Sequence, residues 1–439
     1  MAEQRAADLW EADLRHVWHP YTSFDTWAAE PAPILERAEH IWLTDTSGRR
    51  FIDGSGSWWV SNLGHGYPPI RAAMHRQLDR MAHVIFGGAT HEPAIRLAEL
   101  LSAVAPPGLT RTFFSDNGST AVEVAVRAAF EAWRHRGDTR RRRFVSLEGA
   151  YHGDTIGTAS LGGIESFRRS LDGLLFEALH VPTGGGEAGT GWAQRMVEAL
   201  GTLLAERGDE VAGVVIEPLI LGSAGMRMYS PAILRRIAEL TRAAGAYLIA
   251  DEVFVGMGRT GSLFACEQAG ITPDFVCLSK GLTGGFLPFA VTLTTEEVFE
   301  RFRGEPGRMF HYGHSYCANP LGCAAALAML EAFSDGSILA GVAERAAEAD
   351  RLLEPLRHEP GVTEVRRTGL VIAVQLGEQA SYEQPVGRRI ARRARERGLL
   401  MRPLGNVVYL VPALTITRDE LAQLLGLFGD SIRDELRAG

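Results

Sequence analysis

Between residues 111 and 279 short apolar runs recur with amphipathic stretches between them, and this alternation leaves few architectures open. "RTFFS" (111–115), "RRFVSL" (142–147), "GVVIEP" (213–218), "AYLIAD" (246–251) and "DFVCLS" (274–279) read as buried strands. Residues 120–134 and 231–244 carry the helical period between them. Strand–helix alternation of this kind predicts an α/β fold, a mainly parallel sheet with helices on both faces. Beyond about residue 330 the pattern changes to a long helix (336–357), "TEVRRTGLVIAVQL", a basic helix (385–397), "VVYLVPAL" and a last helix. The sequence therefore predicts a large domain over 66–330 and a smaller α+β domain over 331–439. An N-terminal segment, 1–65, is expected to join the small domain and the functional site. "TGGGEAGTG" (183–191) reads as a surface loop.

In open parallel sheets ligands collect beyond the carboxyl ends of the strands. Here those ends are chemically loaded. "RTFFS" runs into Asp116-Asn117-Gly118-Ser119, "FVSLEGA" into Tyr151-His152, "AYLIA" into Asp251-Glu252, and "FVCLS" into Lys280. "DNGSTAVEVAVRAAFEAW" opens on cap and turn residues and continues as a helix, with Glu123, Arg127 and Glu131 as a narrow polar stripe. A helix N-terminus at the sheet rim favours an anion such as phosphate. A carboxylate at Asp251 could serve a metal, a ribose hydroxyl or a protonated ring nitrogen, and the nearby sequence offers no companion ligands for a metal.

Lys280 is the only lysine in the chain; the other 44 of the 45 Lys+Arg residues are arginine. Arginine replaces lysine wherever a solvated positive charge suffices, but a guanidinium does not lose its proton to become a nucleophile. A lysine retained alone, 29 residues after Asp251 and followed by glycines, points to amine chemistry. Phosphate cradle, strand-end carboxylate and strand-end lysine together are what pyridoxal phosphate requires: a covalent link to the lysine, an acid at the pyridine nitrogen, and an anchored phosphate.

These residues resemble the class III aminotransferases of fold type I. The likeness is carried by "YLIADEVFVGMGRTGSLFACEQAGITPDFVCLSKGLTGG" (247–285), "FFSDNGSTAVEVAVRAA" (113–129), "GAYHGDTIGTASLGG" (149–163) and "GHSYCANPLGCAAAL" (313–327), and it spans essentially the whole chain. It implies a seven-stranded large-domain sheet, pyridoxal 5'-phosphate as cofactor, and a homodimer with shared sites. Lys280 would hold the cofactor, Asp251 its ring nitrogen, Gly118 and Ser119 its phosphate, and Tyr151 would stack on its ring. Ser315 would reach the phosphate of the partner subunit. "VWHPYT" (17–22), "DGSGSWWVSNLGHGYPPI" (53–70), "THEPAIRLAELL" (90–101), "AGMRMYSP" (224–231) and "GLLMRPLGNVVYLVPAL" (398–414) narrow the resemblance to the branch that aminates 8-amino-7-oxononanoate with S-adenosylmethionine in biotin synthesis. On that likeness Tyr21, Trp58 and Trp59 line the substrate pocket and Arg402 grips the carboxylate of the oxo acid. Two departures stand out. Gly313-His314-Ser315 replaces the expected Gly-Pro-Thr, and Phe254 stands where a small residue is commoner. They leave open a lysine-using variant of the same step, or another amine donor or oxo acceptor.

Other functions fit less well. A net charge of −8 argues against nucleic-acid binding, and the basic run "RHRGDTRRRR" (134–143) has no interleaved aromatics, so it reads as a solvated helix end and loop. The N-terminus has no apolar export segment and no run is long enough to span a bilayer, so a cytoplasmic location is expected. Cys266, Cys277, Cys317 and Cys323 lack metal-ligand spacing, so no metal is expected and the thiols read as reduced core or pocket residues. A non-catalytic binding protein would not need the lysine, and a methyltransferase would need a glycine-rich loop after the first strand, which is missing.

Overall fold

Seven strands form the central sheet in the order 109–115, 290–295, 275–278, 247–251, 211–216, 143–147 and 179–181. The computed structural model describes residues 2–184, 189 and 191–438, so most of the loop expected at 183–191 lies outside the described residues. Six strands run parallel, and Ala290–Thr295 alone is antiparallel to both neighbours. The five predicted strands are all present, so the mainly parallel α/β sheet is as expected. Ala290–Thr295 and the three-residue Leu179–Val181 are additions to the sequence reading.

The inner strands are buried throughout, as Val211–Ile216 and Tyr247–Asp251 illustrate, because helices cover both faces. Gly118–His135 presses Ala121, Val122, Ala125 and Ala129 against one face. Its start is fixed by Asn117, whose side chain accepts from Thr120 N at 3.0 Å; a cap of this type contributes about 1 kcal/mol. The polar stripe of this helix divides its work. Arg127 pairs with Glu131 at 2.7 Å, whereas Glu123 turns to the next loop, accepting from the Thr155 hydroxyl and from Thr158 N. The basic run at 134–143 is less solvated than its composition suggests. Arg141 donates to the carbonyls of Gly208, Val211 and Ala244 and lies over the Trp133 ring, tying this segment to the start of the 211–216 strand and to the end of helix Pro231–Ala243.

The C-terminal part builds an antiparallel sheet of Val362–Thr368, Val371–Leu376 and Val407–Leu410. Leu35–Glu39, Trp42–Asp45 and Arg50–Asp53 form a second sheet, closed by Leu399–Leu400 parallel to Arg50–Asp53. Early and late segments thus share a sheet, and the chain after Asp53 passes the end of the 407–410 strand, where Val411 N donates to Gly54 O at 2.7 Å. No single described helix is long and apolar enough to cross a membrane. One bent pair, Pro320–Ala332 with Ser337–Arg357, passes on length and composition, but most of Pro320–Ala332 is buried in the core.

Candidate active site

The carboxyl ends of the parallel strands open on a cavity of about 540 Å³, and its walls are the segments that follow them. Asp116–Ser119 follows the 109–115 strand, Tyr151–Gly153 the 143–147 strand, and Glu217 the 211–216 strand. Asp251 ends its own strand, and Ser279-Lys280 follows the 275–278 strand. Asp251 lies in register with Cys277, so the lysine emerges one strand over and three residues on.

Close approach at two glycines draws the walls together. A Cβ on Gly153 would stand 2.1 Å from Ser119 Oγ, and Gly153 has φ +131, so only glycine seats the Tyr151–Asp154 loop against the helix start. A Cβ on Gly118 would stand 2.6 Å from Val253 Cγ1, which fixes the helix N-terminus against the chain just past Asp251.

A second cavity, about 690 Å³, opens outward from the first and contains Tyr21, Trp58, Phe167, Tyr382 and Arg402. Trp59, Tyr151 and Lys280 line both cavities and form the neck between them. All the expected residues of one chain except Ser315 therefore meet in one continuous space. Ser315 is exposed and lines neither cavity, although its neighbour His314 comes within 3.6 Å of Asp116 at the inner rim.

Local backbone at the neck is unusual. Tyr21, Trp58, Trp59 and Lys280 all have positive φ, at 50, 66, 74 and 43 degrees, where side chains with a Cβ are disfavoured. Four such residues around one space are conformations that the surrounding packing must enforce, as is common at ligand sites. Trp59 is held by a bond from its Nε1 to Tyr409 Oη at 3.1 Å and by the Phe254 ring at 4.3 Å. The unexpected Phe254 thus completes an aromatic wall. Lys280 Nζ lies 4.5 Å from the Trp59 centroid and 5.8 Å from that of Phe254.

Burial outweighs the attraction of Asp251 and Glu217 and lowers Lys280 to about 8. At pH 7 roughly a tenth of the amine is then unprotonated, against roughly one part in three thousand for an ordinary lysine. The folded value lies below the unfolded one, so Lys280's contribution to stability should rise as pH climbs from about 8 through the ordinary lysine range. The single lysine makes this measurable. Reductive ¹³C-methylation of the ligand-free protein should give one side-chain amine signal, and it should titrate near 8; a midpoint in the ordinary lysine range would refute the desolvated environment.

Three groups that the sequence did not assign to the site complete it: His152 and Glu217, both buried on the wall of the inner cavity, and the exposed Asp154. His152 Nδ1 is 2.7 Å from Asp251 Oδ2, while Asp251 Oδ1 accepts from Val253 N at 3.1 Å. Glu217 accepts from Tyr151 N at 3.0 Å and Gly222 N at 2.9 Å, and burial pushes its carboxyl up to about 7. Asp154 takes bonds from both phenols, Tyr21 at 2.6 Å and Tyr151 at 2.7 Å. Burial, reinforced by Asp154, raises Tyr21 to about 12 and Tyr151 well above the usual range, so both remain donors at neutral pH. The only trace of His152, Glu217 and Asp154 in the sequence is position, in "YHGD" and "EP" just beyond strand ends. Arg402 lies with its guanidinium 4.9 Å from the Trp58 centroid and donates to Tyr21 O, while its backbone N–H donates to Ser55 Oγ at 3.0 Å.

The donor set suits a phosphorylated pyridine aldehyde: an amine with no carboxylate in ion-pair range among the described residues, a carboxylate on the cavity wall, and free helix N–H groups at Gly118-Ser119. Comparison with known proteins agrees. Residues 24–432 match the family model for aminotransferase class-III. The chain belongs to the class-III aminotransferases, and it is a pyridoxal-phosphate-dependent transaminase. It is 44% identical to the adenosylmethionine-8-amino-7-oxononanoate aminotransferase of Synechococcus elongatus over 96% of this chain and 99% of that one. To the enzyme of that name from Nitratidesulfovibrio vulgaris it is 41% identical, over 97% of this chain and 81% of the other. The crystal structure of the Methanocaldococcus jannaschii enzyme of the same name superposes with a TM-score of 0.92 at 34% identity, covering 97% of this chain and 98% of that one.

Proposed function

We propose that this transaminase moves an amino group from S-adenosylmethionine to the keto carbon of 8-amino-7-oxononanoate, giving 7,8-diaminononanoate in biotin synthesis. It would act in the cytoplasm as a homodimer. The observation that carries the reading is the position of Lys280 at the neck between two unlike cavities. The inner one is fitted for the cofactor, and the outer one is an aromatic channel carrying an arginine. The names of the relatives at 44% and 41% identity support the choice of substrates. All four cysteines are free thiols, which suits a reducing compartment.

When bound, the cofactor supplies an aldehyde carbon to carry the amino group and an electron-withdrawing ring to accept the electron pair of a broken C–H bond. The chain supplies the rest. Lys280 would hold the cofactor, and its amine, neutral in part at pH 7, would take up and return the proton of the substrate C–H bond. Asp251, oriented by His152 and Val253 N, would keep the ring nitrogen protonated. Gly118 and Ser119 present the helix N-terminus to the phosphate, and Ser315 of the partner subunit would add a hydroxyl. Tyr151 would cover the ring, its backbone fixed by Glu217 and its hydroxyl by Asp154. Tyr21, Trp58 and Trp59 exclude water along the channel, and Arg402 offers its planar fork to the substrate carboxylate.

The test is direct. Purified enzyme given the oxo acid and S-adenosylmethionine should form the diamine, read by mass spectrometry. Formation with lysine alone would correct the donor, and no diamine with either donor would refute the proposed reaction.

A further inference from the structure

The basic helix Val386–Glu396 does more than its place against the last helix requires. Two of its arginines, with Arg397 just beyond, turn to Arg418–Ala438: Arg389 and Arg393 share Glu435, and Arg397 meets Asp434. Arg392 stands 3.7 Å from Glu30. Arg388 and Arg395, two turns apart and therefore on one face, instead line the outer cavity beside Arg402. Neither has a carboxylate in ion-pair range among the described residues, and neither guanidinium has a hydrogen-bond acceptor there. The charged groups on this cavity are Arg388, Arg395, Arg402, Lys280 and Glu30, and Glu30 is the residue already within reach of Arg392. A chain of net charge −8 thus carries an uncompensated positive rim at the mouth of its channel.

Concave, low-dielectric openings lined with one sign of charge concentrate ligands of the other sign. A substrate whose keto carbon must reach Lys280 enters with its carboxylate trailing, toward this rim. Arg402 is already committed in part, stacked on Trp58 and bonded to Tyr21 O. We propose that Arg388 and Arg395 form an outer carboxylate-capture site that draws in an elongated oxo acid by its trailing end and passes that end to Arg402. This rests on the oxo-acid reading given above.

The double variant Arg388→Gln/Arg395→Gln, assayed as holoenzyme, should raise KM for the oxo acid at low salt by about tenfold or more. It should also flatten the rise of KM with ionic strength that the wild type shows. The methyl ester of the same oxo acid, with no trailing charge, should show no such difference between variant and wild type. Arg388→Lys/Arg395→Lys should restore the salt dependence, because capture needs charge rather than a fork. Should the glutamine double variant fail to fold, Glu30→Gln gives the converse test, a lower KM for the acid. Equal effects on acid and ester, or an unchanged KM and salt slope, would overturn the capture site alone. A wild type inactive on both acid and ester would overturn it together with the oxo-acid reading.

Discussion

Lys280→Arg should fold normally, keep its positive charge and lose transamination by about 10⁴-fold or more. Charge cannot be the missing ingredient, since guanidinium supplies it; what disappears is the capacity to exist as a neutral amine. In the wild type that capacity comes from burial, which outweighs Asp251 and Glu217 and brings the amine to about 8. The aromatic faces of Trp59 and Phe254 give an ammonium some compensation, but they offer it no proton acceptor. Because no second lysine exists, the companion experiment is unusually clean. Borohydride treatment of the resting holoenzyme, followed by peptide mapping, should find the cofactor on Lys280 and on no other side chain. Attachment elsewhere, or Lys280→Arg retaining more than about a hundredth of wild-type turnover, would sink the assignment. Circular dichroism and the melting temperature separate inactivity from misfolding.

Much of this site could be read from the chain because its parts follow buried strands. An apolar strand five or six residues long announces itself, and in a parallel sheet all such strands must end at the same rim. Asp116–Ser119, Tyr151, Asp251 and Lys280 were therefore brought together by topology alone. The strand Ala290–Thr295 was harder to see. It enters antiparallel, without the helix that normally precedes a parallel neighbour, and half its residues are threonine. Leu179–Val181 is too short to carry a period. Residues whose roles depend on tertiary contact were the least legible. Glu217 gains its part from two backbone N–H groups and His152 from Asp251, and neither partnership has a signature in spacing. Trp58 and Trp59 were expected in the pocket, yet nothing in "SGSWWV" told of their positive φ or of the 407–410 strand, whose Tyr409 accepts from Trp59. Composition marked the basic helix, but which of its arginines face Arg418–Ala438 and which the outer cavity is decided by packing.

Asp251→Asn carries the second large effect, a fall in turnover of about 10²–10³-fold with the fold retained. The substitution conserves shape, so packing is a poor explanation for any loss. What changes is charge and hydrogen-bond polarity. Asp251 now accepts twice, from Val253 N at 3.1 Å through Oδ1 and from His152 at 2.7 Å through Oδ2. An asparagine has one carbonyl oxygen, and if that continues to serve Val253 N, the amide N–H₂ faces His152. The imidazole must then present a bare Nδ1 and carry its proton on Nε2, a buried atom that has no partner among the described residues. A neutral amide beside a pyridine nitrogen also leaves no carboxylate to stabilise its protonated form. Asp251→Glu, which keeps the charge and shifts its position, should recover part of the activity where asparagine does not. An independent readout follows from the lysine. Asp251 is the larger of the two charges that raise the Lys280 pKa against burial, so Asp251→Asn should move the methylated-lysine titration below about 8. Turnover within tenfold of wild type, or an unmoved lysine titration, would show that this carboxylate does not act on the site in the way its position suggests.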